Sequence, residues 1–497
     1  MSRPSAYTHL QSLFQRLHGY RHLLAMAHWD QASMMPVGSM EARANAIAEL
    51  ESLCHESLTA PQTGDWMAEA AQESLDEDAR ANLREMHRQW QQASVLPADL
   101  LRAKTLAGAR CEHAWRQQRP ANDWQGFAAN LREVVNISRQ EAQLRAEAQG
   151  CSPYQALMNL YEPGMTTERI DSLFNDMKTW LPELITTVVA RQRENTLIQP
   201  QGPFAPVAQE TLGREIMGIL GFDFERGRLD ISTHPFCGGV PEDVRITTRY
   251  SDSDFTQSLM GIIHETGHAR YEQNLPRPLL GQPVAEARSM GVHESQSLFF
   301  EMQLGRHPAF LTSILPKIHQ HLGERAGMDA TNLQRLYRQV EPGLIRVDAD
   351  EVTYPCHVIL RYEIERDLIE GRLEVDDLPE VWNDKMQSYL GLSTVGDYRN
   401  GCMQDIHWTD GAFGYFPSYT LGALIAAQLA ASIQSQLGDL GSLIENGRLH
   451  EVFGWLNSNI WSQGSRYPTD ELLERATGST LDARFFHQHL RQRYLQG

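Results

Sequence analysis

The chain has 497 residues, enough for two or three ordinary domains or one large helical one, and it can bury a sizeable core in either case. Its formal net charge of −19 and its pI near 5.5 exclude a nucleic-acid or anionic-membrane partner, because phosphate binding needs a basic surface. The six cysteines (Cys54, Cys111, Cys151, Cys237, Cys356 and Cys402) are scattered without CxxC spacing, as expected of reduced thiols and not of a disulfide framework or a thiolate metal site.

From the N-terminus, Tyr7, Leu10, Leu13, Phe14 and Leu17 predict an amphipathic helix and not a secretory apolar core, so a cytoplasmic location is expected. Helical stripes follow at Trp124, Phe127, Leu131, Val134 and Val135, and at Ile170, Leu173, Phe174, Met177, Trp180 and Leu181, the second after a Thr166 or Thr167 cap. Between Leu229 and Tyr250 the pattern changes to that of a small β-hairpin. Ile231, Phe236, Val244, Ile246 and Tyr250 are spaced there around the turn residues 237–242. Next, Ser251, Asp252, Ser253 and Asp254 offer N-caps to a helix whose buried face is Phe255, Leu259, Ile262, Ile263 and Thr266. A break at Pro276, Pro278, Gly281 and Pro283 lets the chain reverse into a second helix, with Leu298 and Phe299 packing behind it. Leu421 to Ile433 is too short and too Ala-rich for a membrane span, and Gln428 interrupts it, so it is predicted as a buried helix.

The first of these two neighbouring helices carries His264-Glu265-Thr266-Gly267-His268, an HExxH pattern. A helix turns once per about 3.6 residues, so histidines four apart share one face and can present nitrogens to a single ion. Glu265 sits one position round, placed to act as general base on water at that ion. Gly267 is costly in a helix interior and predicts close approach of another group. A catalytic zinc needs a third protein ligand. Tyr271 and Asn274 stand where the extended metzincin motif has Gly and His, so that subclass is excluded. The remaining source is a carboxylate from the second helix. Glu294 is the candidate, with Glu286, Glu301 and His293 as rivals.

Further runs are His234-Pro235-Phe236, Asp243-Val244-Arg245-Ile246-Thr247, His293-Glu294-Ser295-Gln296-Ser297, Ile345-Arg346-Val347-Asp348-Ala349-Asp350 and Gly401-Cys402-Met403-Gln404-Asp405-Ile406-His407-Trp408. Together with HETGH, and with Trp29-Asp30 and Met34-Met35-Pro36 near the start, their order resembles that of the carboxypeptidase Taq family of metallocarboxypeptidases. The resemblance runs from near residue 10 to the C-terminal region. It implies a mainly α fold: one large helical domain over 1–497 with a deep substrate groove, a small sheet beside the metal and residues 1–95 as a helical lid. It also implies Glu294 as third ligand, Arg346 as the anchor for a substrate carboxylate, Gln404 and His407 in a groove wall, and a homodimer.

The expected activity is that of a zinc carboxypeptidase, with cobalt or another divalent ion able to substitute. It would release single C-terminal residues from peptides with broad side-chain tolerance. Oxyanion donors are sought among His234, His407, Tyr415 and Tyr419. Arg245 is a second possible anchor, although Asp243 and Thr247 share its strand face and suit it to holding the hairpin. For Arg346 the structural alternative is an ion pair with Asp348 or Asp350. A dipeptidyl carboxypeptidase or endo-acting oligopeptidase would differ only in where the groove is blocked. A non-catalytic peptide-binding scaffold would have no need of Glu265.

Overall fold

The computed structural model describes residues 4–194, 196–233 and 235–496. Helices begin where the sequence supplies caps: the side chains of Ser5, Asp123 and Thr166 accept from Thr8, Gly126 and Arg169 amides at the heads of Ala6–Ser33, Trp124–Gln149 and Thr167–Gln192. The expected stripes are the buried faces. Phe127, Leu131, Val134 and Val135 join Ile170, Leu173, Phe174, Met177 and Leu181 in one large core, with Trp124 and Trp180 partly exposed at its edge. The helix Pro417–Leu437 runs through this core and contains the apolar stretch from Leu421 to Ile433. Gln428 is tolerated there because its side-chain amide donates to Thr477, Ser479 and Thr480, so no polar group is stranded. Among the described residues no helix is long and apolar enough to cross a membrane.

The helices Ala6–Ser33, Met40–Thr59, Pro61–Ala70 and Glu77–Ser94 close around a second, small core of Leu10, Leu13, Phe14, Leu17, Leu58, Met67 and Met86. Charged contacts join Glu77–Ser94 to the main body. Buried Glu85 accepts from Arg288 Nη1 and Arg88 Nε, both at 2.8 Å, and Arg466 forks onto Asp78 at 2.6 and 2.9 Å.

The β element is a three-stranded sheet of order β1-β3-β2, with β1 Gly227–Ile231, β2 Cys237–Val240 and β3 Asp243–Thr248. β2 and β3 form the expected hairpin, while β1 adds in parallel on the other side of β3. The sequence reading is corrected at 237–240. These residues are strand, and only Pro241 and Glu242 turn. A Gly-Gly strand carries no apolar alternation, yet its backbone pairs as well as any other. At Gly239, φ is +97° and an added Cβ would lie 2.1 Å from the Asp243 carbonyl oxygen, so glycine is required. Leu229, Val244 and Ile246 pack the sheet onto Ile262 and Ala269 of the next helix, Thr256–Gln273. All six cysteines are free; Cys111, Cys356 and Cys402 are buried and Cys54, Cys151 and Cys237 partly so.

Candidate metal centre

Thr256–Gln273 presents the HExxH residues. Its start is fixed by Asp254, whose Oδ1 accepts from the Thr256 amide at 2.7 Å, and Phe255, Leu259, Ile262, Ile263 and Thr266 are all buried as expected. The reversal after Pro276 leads to the helix Met290–Leu298, which continues as a π-helical segment, Phe299–Gly305. The two helices touch backbone to backbone at Gly267. A Cβ there would sit 2.4 Å from the Gln296 carbonyl oxygen and 2.6 Å from Ser297 Cα. On its other side Met290–Leu298 meets Pro417–Leu437 at Gly422, where a Cβ would lie 2.7 Å from Glu294 Cγ. Glu294 is thus wedged between two helices.

His264, His268 and Glu294 are the one group of His, Cys, Asp or Glu among the described residues whose ligand atoms all lie within 4.8 Å of one another. Glu294 Oε2 is 3.2 Å from His268 Nε2 and 3.9 Å from His264 Nε2. The three side chains are 21%, 16% and 16% exposed, in the order His264, His268, Glu294, so the cluster is open to solvent. Of the rivals, Glu301 and His293 stand behind the ligand histidines, and Glu286 is away at the N-terminal helices, accepting from Gln89.

Those two neighbours set the imidazole tautomers. Glu301 Oε2 lies 2.9 Å from His264 Nδ1, and Glu301 Oε1 accepts from Arg306 at 2.6 Å. Burial alone would raise the Glu301 carboxyl, but Arg306 and His264 outweigh it and hold it at about 2. An ionised carboxylate only accepts, so His264 keeps a proton on Nδ1, and Nε2, which faces Glu294, is the nitrogen at which a metal would replace the second proton. His268 Nδ1 lies 2.6 Å from His293 Nδ1, and His293 Nε2 lies 2.8 Å from Glu272 Oε1. Glu272 accepts from His293 Nε2, so His268 donates from Nδ1 to His293 Nδ1 and its Nε2 is the nitrogen left to bind a metal. Two nitrogen lone pairs and one carboxylate converge, a donor set suited to a divalent ion.

The local field has the same sign. Burial lowers the His264 imidazole, yet the Glu301 hydrogen bond and the Glu294 and Glu265 charges raise it to about 10. A site that holds a proton so firmly also favours a cation. Glu265 is buried, and desolvation, partly opposed by His264 and reinforced by Glu294, pushes it up to about 7. β2 passes beside it: the Cys237 thiol is driven well up by its enclosure and by the Glu265 charge.

Arg346 is buried and pairs with Asp405, not with Asp348 or Asp350: Nε donates to Asp405 Oδ1 at 2.8 Å, and Nη1 donates to Tyr354 OH at 2.7 Å. Asp405 is shared with Arg361 at 2.7 Å, and Gln404 Oε1 accepts from the Arg346 amide at 2.8 Å. Asp350 instead accepts from Val352 and Thr353 amides. Arg346 Nη2 has no partner among the described residues, and the guanidinium lies 5.0 Å from the Tyr419 ring centroid. Tyr419 OH meets His407 Nε2 at 3.2 Å, and Tyr415 packs 5.2 Å from Tyr419. Burial, then the Glu294 charge, raises Tyr415; burial and the neighbouring tyrosines raise Tyr419; burial lowers His407 to about 4. Arg346, Tyr354, Tyr415, Tyr419 and His407 therefore form one polar wall facing Glu294.

Arg245 stands apart. It forks onto Asp243 at 3.0 and 2.6 Å, its guanidinium 4.5 Å from the Trp29 ring centroid, which ties the N-terminal helix to the sheet. His234 lies outside the described residues. Sequence reasoning missed Tyr354, which no spacing rule connects to Arg346, and it treated Glu301 and His293 only as rival ligands.

The carboxypeptidase Taq (M32) metallopeptidase family profile matches residues 9–494. Thermostable carboxypeptidase 1 of Thermus thermophilus is 37% identical over 99% of each chain, and carboxypeptidase 1 of Bacillus subtilis is 33% identical over 97% of this chain and 96% of its own. The solved structure of Trypanosoma cruzi metallocarboxypeptidase 1 superposes with a TM-score of 0.97 at 46% identity, covering 99% of both chains. With that agreement over its whole length and a ligand cluster suited to a divalent ion, the chain belongs to the carboxypeptidase Taq (M32) metallopeptidase family and is a metallocarboxypeptidase.

Proposed function

We propose that the metal is zinc, held by His264, His268 and Glu294, and that the enzyme releases single residues from the free C-terminus of peptides. The observation that carries this is the convergence of those three ligand groups beside a buried Glu265 whose carboxyl is held at about 7. A bound divalent ion supplies Lewis-acid chemistry, acidifying water and polarising the scissile carbonyl. Glu265, buried beside the three ligand groups, takes the proton of the attacking water and returns it to the leaving amine. Tyr415 or Tyr419 donates to the charge that develops on the carbonyl oxygen, and His407, held neutral, orients the Tyr419 hydroxyl through Nε2. Arg346, its guanidinium oriented by Asp405 and Tyr354, keeps Nη2 for one oxygen of the substrate carboxylate. Gln404 fixes the Arg346 backbone, and Arg245 serves the sheet. β2, the last strand in the sheet order, is placed to give the substrate backbone an extended partner.

In this reading residues 1–95, which have a small core of their own, act as a lid over the substrate groove, and the protein works as a cytoplasmic homodimer. The test is incubation of the pure protein with an N-blocked peptide, with and without chelator. Stepwise loss of C-terminal residues is expected, abolished by chelation and restored best by zinc. Release of dipeptides or internal cleavage would overturn the exopeptidase reading, and equal restoration by any divalent ion would overturn the assignment of zinc.

A further inference from the structure

A cavity of about 630 Å³ lies where the end of Thr167–Gln192, the helix Ala330–Tyr337 and the C-terminal residues Arg493 and Tyr494 meet, and none of the residues lining it belongs to the metal centre. Among the described residues five arginines line it (Arg191, Arg193, Arg335, Arg338 and Arg493) against one carboxylate, Glu341. In a chain whose net charge is −19, so local an excess of cations is not explained by overall composition.

Few of these cations are neutralised. Arg493 donates to Glu351 at 2.9 Å, but that carboxylate also accepts from Tyr494 and meets His489, so it is fully used. Arg191 donates to the Leu495 carbonyl. Among the described residues Arg193, Arg335 and Arg338 have no ion pair. The Nε of Arg338 is enclosed and has no acceptor among the described residues. Burial, then the nearby Arg493 charge, lowers the Arg338 guanidinium, with Tyr494 and Glu351 opposing.

The wall is also held rigidly. Gln192 bridges its two sides, donating to the Arg338 carbonyl at 2.8 Å and accepting from the Val340 amide at 2.9 Å. Arg335 and Arg338 are three residues apart and project from one side of the helical path, so two forks can grip a single head group. Val189, Leu197 and Val340 supply an apolar side to the same cavity, which is far larger than a bare oxyanion requires.

We propose that this cavity is a binding site for a small organic dianion, its doubly charged oxyanion head on Arg335 and Arg338 and its apolar body against Val189, Leu197 and Val340. The head is a phosphate monoester or a dicarboxylate, which share the geometry a guanidinium fork recognises.

The test is calorimetric titration of the metal-loaded enzyme, at constant ionic strength, with inorganic phosphate, phenyl phosphate and phthalate up to millimolar concentration. Arg335→Gln and Arg338→Gln are compared with wild type. Saturable binding of phenyl phosphate or phthalate, tighter than that of inorganic phosphate and weakened about tenfold or more by each substitution, is expected. Whichever of the two binds more tightly identifies the head group. The peptidase kcat/KM should be unchanged in both variants, which separates this site from the metal centre. Equal affinity in wild type and variants would overturn the proposal, as would the absence of saturable binding by all three probes. Should Arg338→Gln fail to fold, Arg335→Gln, at an exposed position, carries the comparison alone.

Discussion

His268 and His293 face each other through their Nδ1 atoms at 2.6 Å, and Glu272 on the far side of His293 decides which of them bears the proton. The second imidazole thereby works as a spacer that carries the pull of a carboxylate to the first. Glu301 does the same for His264 directly. Replacing His293 with Ala, or Glu301 with Gln, is expected to weaken metal binding by roughly 10–100-fold while leaving the ligands themselves in place. Competition against a chromogenic chelator measures it; an unchanged affinity in both variants would show that the tautomers are set by something else.

Glu265 touches the reaction without being one of the three clustered ligand residues. Glu265→Gln should keep the stoichiometry of bound metal and lose roughly 10²–10⁴-fold in kcat. Metal analysis beside single-turnover kinetics separates the two quantities. A variant that loses metal along with activity would instead make Glu265 part of the ligand set.

For Arg346 the informative change is Arg346→Lys, which keeps a cation against Asp405 but removes the planar fork. The expected fall in kcat/KM is roughly ten- to a hundredfold for peptides with a free C-terminus, with little change for an amidated peptide, which is expected to be a poor substrate of the wild type as well. Asp405 retains Arg361, so the fold should survive, and thermal unfolding checks this.

Much of this centre could be read before any coordinates. The HExxH helix declared itself through a buried stripe at helical period, and Gly267 marked the close approach later found at Gln296 and Ser297. Other features lie beyond pattern reading, each for a physical reason. β2 has too few side chains to alternate. The Arg346–Asp405 pair joins residues 59 apart in sequence, and nearby Asp348 and Asp350 were the closer guess. Glu301 and His293 stood out as residue types, but which of them would face the ion and which would stand behind a ligand depends on helix placement and on the π-helical turns after Leu298.

Acid should loosen the hold of the main body on the N-terminal helices. Burial would raise the Glu85 carboxyl, but Arg288 and Arg88 pull it down from 4.5 to about 2. Its folded pKa is depressed, so the stability it contributes is present above the unfolded value and is lost as pH falls from about 4.5 through 2. The full contribution is on the order of 3 kcal/mol. Glu85→Gln should therefore destabilise the protein at neutral pH and have a shrinking effect as acid is added. Urea midpoints measured across that range, with proteolysis reporting release of Glu77–Ser94, would show whether the two effects run together.

Gly267→Ala offers a backbone test. A methyl group 2.4 Å from the Gln296 carbonyl must push the two helices apart, at a cost of about 1–3 kcal/mol. Because Glu294 rides on the displaced helix, metal affinity should fall with stability. A stable variant with normal metal binding would mean that the helices can slide without moving the ligands.

The two glycine contacts that grip Met290–Leu298, at Gly267 and Gly422, have a thermodynamic consequence. With the Ser297 hydroxyl on its carboxylate, they hold Glu294 opposite the histidines before any ion arrives, so an arriving ion has almost no chain to order. In small zinc modules the binding energy of the metal is spent on folding. Here it is left over for affinity and for polarising a substrate, and stripping the ion should leave a protein that is inactive yet fully folded.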